Sequence, residues 1–432
     1  MRWWYKAAGC AVMAGLLLTA CSSGHPPANN KPAQQEEEMT EEGQTLTVIN
    51  PESSANSSSA SPPSAEEGKK YQIQTRLTDF RLLCTSKGLA WGSTRSELRL
   101  YVTQDSGITW TNISPSASVQ FPNNPEYGTD LFFVDTEHGW IVRDSLGSGE
   151  AIILRTGDGG LTWKMASLPE ADDVASIYFL DENRGWILTV GGGPDSSEAK
   201  ALYATNNGGA TWTKMMSTPI LPTDTSSIDH TLPKLGNPVG MVFTDKSNGY
   251  ITMIEAGLPA LYVTTNGGSR WTKNNDFFEK DKFKACSRFS VGAPSFFNGH
   301  GYAGWISIGC EREEAVKYNG YFSSDSGQTW LLSPFGLPWR DGNDAHLSMT
   351  FLNTMEGWAI QNSSIYHTLD QGKSWTLLPE NKKSKEVLAD YPVVVKIQFF
   401  SAKVGWLLVE QTDRKRSLLL QTQDGGASWH VL

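Results

Sequence analysis

Few residues in this 432-residue chain have the type and spacing that catalysis requires. Hydrolysis of a glycosidic bond needs two carboxylates that flank the bond, and the acidic candidates are Glu97, Glu150, Glu255 and Glu410. The sequence does not place any two of them at the required separation. The chain also lacks His-x-x-x-His, Cys-x-x-Cys, Gly-x-Ser-x-Gly and phosphate-binding-loop patterns. We therefore expect no catalytic residue, no cofactor and no bound metal.

A different chemistry is indicated at Cys21. Basic Arg2 and Lys6 are followed by an apolar run over 7–20, which is typical of a secretory signal and too short for an ordinary membrane-spanning helix. The run ends in Leu-Thr-Ala-Cys, which resembles a bacterial lipobox. That resemblance implies removal of residues 1–20 as a signal peptide and lipidation of the Cys21 thiol. The mature protein would then be extracytoplasmic and lipid-anchored to a bacterial membrane.

Residues 21–70 have a composition of their own. Ser, Pro, Asn, Gln and Glu dominate, and large apolar side chains are rare apart from Leu46, Val48 and Ile49. Such a segment cannot bury enough apolar surface to offset the entropy of ordering it, so we predict a disordered polar linker. The whole chain carries 46 acidic against 36 basic residues, a net charge of −10, which argues against nucleic acid as a partner.

One motif recurs seven times after the linker: Thr/Ser-x-Asp/Asn-x-Gly-x-Ser/Thr-Trp, with Arg270 as the single departure at the hydroxyl position. Its closing residues are Trp110, Trp163, Trp212, Trp271, Trp330, Trp375 and Trp429. Asp accepts hydrogen bonds from nearby turn amides, Gly permits a positive φ, and Trp buries a large ring. We interpret the recurring Asp as a turn residue of the scaffold, not as seven catalytic acids.

A second motif alternates with the first: Phe-x-Asp/Asn-x-x-x-Gly-Trp/Tyr. Its clear copies begin at Phe133, Phe179, Phe243, Phe351 and Phe399. We read a degenerate copy from Leu82 to Gly88, and a contracted one from Phe296 to Gly301-Tyr302. Each unit of about 50 residues then holds four strands, which is the size of a propeller blade. The two motifs therefore predict that residues 71–432 form an all-β fold, a single seven-bladed β-propeller of four-stranded antiparallel blades.

The two motifs resemble those of Asp-box (BNR) propellers. Their pairing is most similar to the photosystem II stability/assembly-factor-like family, over about residues 75–432. The resemblance implies a non-enzymatic protein of the assembly or scaffold type, which binds a protein partner.

Strand order separates the two ends of such a ring. Both motifs form turns at one end, here called the motif end, whereas the variable connections converge on the other, the loop end. Aromatic and Arg side chains are typical interface anchors. The best contact candidates in the connections are Phe335, Trp339 and Arg340, with Phe277, Arg288 and Arg312 in support. Two alternatives stay open: the aromatic side chains plug the ring or pack within their own loops, or the propeller binds or hydrolyses a glycan.

Two cysteines belong to the fifth unit. Cys286 enters it and Cys310 follows its second strand, so both emerge at the loop end. Because an extracytoplasmic location favours oxidation, we predict a Cys286–Cys310 disulfide, with Cys84 unpaired.

Overall fold

The computed structural model describes residues 44–49, 70–94, 96–115, 120–121, 123–144, 150–169, 171, 173–191, 199–218, 230–297, 302–341, 349–361, 364–379 and 382–432. The predicted signal peptide, Cys21 and most of the predicted linker lie outside these residues. Two strands precede the repeats, β1 (Gln44–Ile49) and β2 (Lys70–Thr75), and they pair antiparallel over six residues. Strand β1 lies within the predicted linker, at a segment whose Val, Ile and Thr residues have high β-propensity.

Seven sheets follow in chain order; six of them have four antiparallel strands, as predicted, and the sheet of blade 5 has six. Blade 1 comprises β3 (Leu77–Leu82), β4 (Gly88–Thr94), β5 (Glu97–Thr103) and β6 (Thr111–Asn112). Blade 2 comprises β7 (Leu131–Phe133), β8 (Gly139–Asp144), β9 (Glu150–Thr156) and β10 (Lys164–Pro169). Blade 3 comprises β11 (Asp173–Phe179), β12 (Gly185–Val190), β13 (Lys200–Thr205) and β14 (Thr213–Ser217). Blade 4 comprises β15 (Asn237–Phe243), β16 (Gly249–Glu255), β17 (Leu258–Thr264) and β18 (Thr272–Lys273).

Blade 5 is the irregular member, because its first strand is split and a further strand is added. It comprises β19 (Arg288–Val291), β20 (Ser295–Phe296), β21 (Gly304–Arg312), β22 (Ala315–Ser323), β23 (Leu331–Pro334) and β24 (Arg340–Asp341). A 3₁₀ turn over Lys280–Phe283 precedes it. Blade 6 comprises β25 (Met349–Phe351), β26 (Gly357–Gln361), β27 (Ser364–Thr368) and β28 (Thr376–Leu377). Helix α1 (Lys382–Asp390) leads to blade 7, formed by β29 (Val393–Phe399), β30 (Gly405–Glu410), β31 (Ser417–Thr422) and β32 (His430–Val431).

The Phe and Gly of the second motif face each other across the first two strands of a blade. Phe179 pairs with Gly185, for example, and the same register recurs in blades 2, 4, 6 and 7. A Cβ atom on Gly185 would lie 2.5 Å from the Phe179 ring, so only glycine fits beneath it. Leu82 pairs with Gly88 in blade 1, as predicted.

The contracted copy predicted in blade 5 is wrong. Phe296 pairs with Gly304, so Gly304-Trp305, and not Gly301-Tyr302, is the equivalent of Gly185-Trp186. The turn between the first two strands of this blade is therefore longer than in the other blades, not shorter. The motif was assigned to Gly301-Tyr302 because this unrelated Gly-Tyr pair lies between Phe296 and Gly304 in the sequence.

Aromatic rings join neighbouring blades. Trp140 of blade 2 stacks on Phe179 of blade 3 with ring centroids 3.5 Å apart, and Trp212 meets the same ring edge-on at 5.9 Å. Blades 3 and 4 repeat the stacking with Trp186 and Phe243, 3.7 Å apart. Each of the seven motif Trp residues is buried or half-buried, which agrees with their predicted place between the sheets.

The ring closes between blades 7 and 1 through side chains, because each of these blades takes its four strands from one continuous stretch of chain. The Lys396 ammonium lies 2.7 Å from the Asp79 carboxylate. The Gln398 side chain accepts a hydrogen bond from the Leu82 amide at 2.9 Å, and the Ser417 hydroxyl accepts one from the Leu77 amide at 2.7 Å. These buried polar contacts tie the last blade to the first.

Candidate functional site

The motif end of the ring is built from hydrogen-bonded turns. In blade 2, Asp158 accepts hydrogen bonds from the hydroxyl of Thr156 and from the amide and hydroxyl of Thr162, at 2.5–2.9 Å. Burial acts to raise the pKa of Asp158, but these hydrogen bonds outweigh it and lower that pKa. The next residue of the turn, Gly159, donates its N–H to the Glu137 carbonyl in the neighbouring turn of the blade. The motif Asp is thus a scaffold residue, as its recurrence predicted.

At the loop end of the ring, blade 5 differs more from the regular repeat than the other blades do. Strands β21 and β22 are nine residues long, whereas the second and third strands of the other blades have five to seven. Beyond the outer strand β23, β24 adds a further pairing to β22. Residues 286–291, 308–318 and 339–341 form this loop-end part of the blade, here called the blade 5 arm.

Four of the six predicted contact residues lie on the blade 5 arm, Arg288 and Arg340 on one face of its sheet and Arg312 and Trp339 on the other. Arg288 lies opposite Glu311 in the sheet, and their side chains form an ion pair at 2.9 Å. The Arg312 guanidinium lies over the Trp339 ring, 4.8 Å from its centre. Arg340 lies opposite Val316 on the next strand. Arg288 and Arg312 are exposed, whereas Trp339 and Arg340 are half-buried.

A disulfide fixes the base of the arm. Cys286 and Cys310 are bonded, with Cα atoms 5.3 Å apart, which confirms the predicted pair. Beside it, the amide and hydroxyl of Ser287 both donate to the Glu311 carbonyl, at 2.7 and 3.0 Å. Cys84 is the free cysteine among the described residues. The arm is therefore a cross-linked sheet and not a loose loop.

The Tyr318 phenol is buried on the arm, close to the charged side chains of Glu311 and Arg340. Burial raises its pKa to about 12; Glu311 acts in the same direction and Arg340 opposes it. The phenol therefore stays protonated at physiological pH, and it lies within electrostatic reach of both charged residues.

Two of the predicted contact residues are placed in the core, so the prediction that they meet a partner is wrong. Phe277 and Phe335 are each 1% exposed. Phe335 packs against Phe351 and Trp375 of blade 6, with ring centroids 5.6 and 5.9 Å away. Phe277 packs in the same way against Trp330 of blade 5, at 6.3 Å.

The physical reason is a repeat position that sequence reasoning missed. The chain that leaves the fourth strand of a blade places an apolar side chain against the motif turn of the next blade. Ile113 does so beside Gly160, Leu378 beside Gly426, and Leu432 beside Gly107. An apolar residue three positions after Trp110, Trp375 and Trp429 was the available signal. In blades 4 and 5 the spacing is longer, so Phe277 and Phe335 looked like loop residues.

The carboxylates considered for glycoside hydrolysis are in different blades. Glu97 pairs with Arg99 at 2.8 Å, and Glu255 pairs with Lys273 at 2.6 Å. Glu410 pairs with Arg76 at 2.8 Å; burial raises the pKa of this carboxyl, and the Arg76 charge opposes the rise. Glu150 is exposed at the start of β9 in blade 2.

In the part of the chain that the structure describes, no three His, Cys, Asp or Glu side chains are grouped so that they could hold a metal ion. Within the same residues, no helix has the length and apolar character needed to cross a membrane.

The fold and its repeats define a BNR-type, or Asp-box, β-propeller. Residues 102–276 match the model of the PSII_BNR family, described as photosynthesis system II assembly factor YCF48. The photosystem II assembly protein Ycf48 of Synechococcus sp. (strain JA-2-3B'a(2-13)) is 24% identical over 319 residues, which are 65% of this chain and 82% of that protein. The resemblance to this assembly factor that the motifs indicated is confirmed.

Other similarities are shorter or more distant. The vacuolar protein sorting/targeting protein 10 of Paracoccidioides lutzii (strain ATCC MYA-826 / Pb01) is 28% identical over 121 residues, covering 26% of this chain but only 7% of that protein. Among solved structures, YCF48 bound to a D1 peptide matches at 17% identity and a TM-score of 0.47, over 80% of this chain and 93% of that one. A GH74 xyloglucanase from Xanthomonas campestris matches at 10% identity and 0.45, over 82% and 60%.

Proposed function

We propose that this protein is a membrane-tethered, non-enzymatic propeller that binds a protein partner through the blade 5 arm. The observation that carries the proposal is the departure of blade 5 from an otherwise regular repeat, in the part of the blade that holds four of the predicted contact residues. Function on a repetitive scaffold usually resides where the repeat is broken. The relative from Synechococcus is itself named an assembly protein, which supports a binding role for this chain.

The chemistry of the arm suits a protein surface. Trp and Arg are the side chains most often found at the energetic centre of an interface. Here the Arg312 guanidinium already lies over the Trp339 ring, and the Cys286–Cys310 disulfide holds the surrounding strands. Contacts that are fixed before binding lose less entropy when the complex forms. The exposed Arg288 and Arg312 favour a partner surface that presents carboxylates.

The membrane part of the proposal rests on the lipobox-like residues that end at Cys21. A lipid there would hold the propeller close to one membrane face, which would raise its effective concentration towards partners in the same membrane. A membrane protein is accordingly the class of partner we propose.

The experiment compares partner capture by full-length protein in host membranes, using cross-linking and recovery of the propeller. The triple variant Arg288→Ala, Arg312→Ala, Trp339→Ala should recover the partner at least tenfold less, with an unchanged thermal midpoint. Arg184→Ala is the matched control, because Arg184 is an exposed, ion-paired arginine at the motif end. The Cys21→Ser variant should leave the membrane fraction.

Two results would overturn the proposal. If the folded triple variant recovered the partner fully, the arm would not be part of the interface. Release of reducing sugar from a glycan panel by the purified protein would replace binding with glycoside hydrolysis, the alternative function.

A further inference from the structure

The chain enters the propeller at the loop end of the ring, beside blade 7. Strand β1 begins at Gln44, which pairs with Thr75 at the end of β2. The next residue, Arg76, forms an ion pair with Glu410, and the nitrogen and oxygen atoms are 2.8 Å apart. Glu410 is the last residue of β30, and that strand ends at the loop end. The segment that follows Cys21 therefore arrives next to blade 7.

A short turn over residues 411–416, here called the blade 7 turn, connects β30 to β31 at the same corner. Its two ends are joined by a hydrogen bond of 3.0 Å from the Gln411 amide to the Arg416 carbonyl. Within it, the Arg414 amide donates to the Gln411 carbonyl at 2.9 Å. The hydroxyl of Ser417, which follows the turn, accepts a hydrogen bond from the first amide of β3 at 2.7 Å. The turn is therefore fixed beside the point where the chain enters.

The blade 7 turn is basic in an acidic chain. Its basic side chains are Arg414, Lys415 and Arg416, and Asp413 is its single acidic residue. The chain as a whole has a net charge of −10. Arg414 and Lys415 are exposed, and Arg416 is half-buried. Positive charge is thus concentrated, and open to solvent, at the corner where the chain enters the ring.

Arg414 has a backbone conformation that local folding does not favour. Its φ is 57°, in the left-handed region where glycine is preferred and other residues are uncommon. Glycine would form the same turn with less strain. The arginine is therefore better explained by what its side chain contacts than by the stability of the turn.

Helix α1 leads to the same corner. It ends at Asp390, three positions before Val393, and Val393 lies opposite Glu410 in the sheet of blade 7. The nine residues of the helix include three lysines and two acidic residues. The helix therefore does not reverse the positive charge of the blade 7 turn.

Building on the membrane tether of the proposed function, we propose that the blade 7 turn lies against anionic lipid headgroups, with the loop end of the ring facing the bilayer. The 22 residues between Cys21 and Gln44 span at most about 75 Å when fully extended, so an anchored chain delivers this corner to the membrane. Each basic residue near an anionic bilayer strengthens binding about fivefold. The attraction fades within about 10 Å at moderate salt, so the residues closest to the entry point contribute most. The same orientation turns the blade 5 arm towards proteins of that membrane.

The test uses full-length protein purified from host membranes and reconstituted in vesicles, either of phosphatidylcholine alone or of phosphatidylcholine mixed with phosphatidylglycerol. A membrane-impermeant reagent labels exposed amines, and mass spectrometry measures the labelling rate of each lysine. Lys415 should react at least fivefold more slowly on the anionic vesicles than on the neutral ones, and high salt should remove the difference. Lys403 is the internal control, because it is an exposed lysine of the same blade in the turn between β29 and β30, at the motif end. Its rate should be the same on both kinds of vesicle.

Variants of Arg414 separate charge from structure. Arg414→Gly should bring the labelling rate of Lys415 on anionic vesicles towards its rate on neutral ones, with a thermal midpoint no lower than that of the unmodified protein, since glycine relieves the left-handed conformation. Arg414→Lys should keep the protection, because a bilayer responds to charge and not to guanidinium geometry. Arg270→Gly is the matched control, an exposed arginine of blade 4 at the motif end, and should leave the labelling of Lys415 unchanged.

Three results would overturn the inference, and they separate it from the proposed function. If the protein stays with both kinds of vesicle but Lys415 reacts equally on them, the orientation is wrong and the tether stands. If Lys415 is protected in host membranes but not on anionic vesicles, a protein and not lipid covers the turn. If the protein stays with neither kind of vesicle, the tether of the proposed function fails as well. The comparison of vesicles on the unmodified protein decides even if a variant fails to fold.

Discussion

Phe335 offers a direct test of how the connections between blades are used. Its ring is 1% exposed and lies between Phe322 of blade 5 and Phe351 of blade 6, with ring centroids 6.4 and 5.6 Å away. The change Phe335→Ala removes the ring from a site that cannot collapse, because backbone on both sides belongs to sheets. Replacing a buried Phe by Ala costs about 3–5 kcal/mol.

That cost can be converted into a change of melting temperature. An unfolding entropy of about 2.1 cal/mol/K per residue gives about 0.75 kcal/mol/K for a propeller of about 360 residues. The expected fall in the thermal midpoint is therefore about 4–7 °C. Differential scanning calorimetry measures it, and guanidinium unfolding followed by tryptophan emission provides a second measurement.

Leu331→Ala is the matched control. Leu331 lies on β23 of the same blade, four positions earlier, but is 73% exposed. Its replacement should change stability by no more than about 0.5 kcal/mol. If Phe335→Ala kept the melting temperature of the unmodified protein but lost partner capture, the assignment of Phe335 to the core would be refuted, and the side chain would belong to a binding surface.

Two further predictions concern acid and the disulfide. Hydrogen bonds from Ser374 hold the pKa of Asp370 below its ordinary value. A carboxyl whose folded pKa lies below the unfolded value of about 3.9 contributes stability that is present above that pH and lost as the pH falls through the folded pKa. The thermal midpoint should therefore drop between about pH 5 and 3, and Asp370→Asn should make the drop shallower; an unaltered pH profile for this variant would contradict the reasoning. Asparagine is tolerated there, since Asn207 and Asn266 fill the same position in blades 3 and 4. Replacing Cys286 and Cys310 together by Ser opens a loop with a sequence separation of 24, and should cost about 3–4 kcal/mol and expose the arm to limited proteolysis. Cys84→Ser should change neither property, and equal behaviour of the two variants would show that the disulfide does not stabilise the arm.

The regular features of the fold could be predicted from the sequence because they depend on local interactions that recur in each blade. A Trp at the end of each Asp turn and a Phe six positions before a Gly fix strand register over a few residues, and seven copies make the count of blades secure. Where the repeat changed length, local reading failed. In the longer turn of blade 5, the sequence pattern was assigned to Gly301-Tyr302 instead of Gly304-Trp305. The longer connections after Trp271 and Trp330 led to the prediction that the core residues Phe277 and Phe335 lie at the surface.

The class of fold, the number of blades, the scaffold role of the recurring Asp and the pairing of Cys286 with Cys310 could all be predicted from the residues along the chain. Each follows from short-range chemistry or from symmetry among the repeats. Which side chains of different blades meet became visible only in the folded ring. It placed Arg312 over Trp339, buried Phe277 and Phe335, and bonded the Asp79 carboxylate to Lys396, 317 positions away in the chain. Closing a ring brings its first and last blades together, and no pattern along the chain encodes which of their side chains then touch.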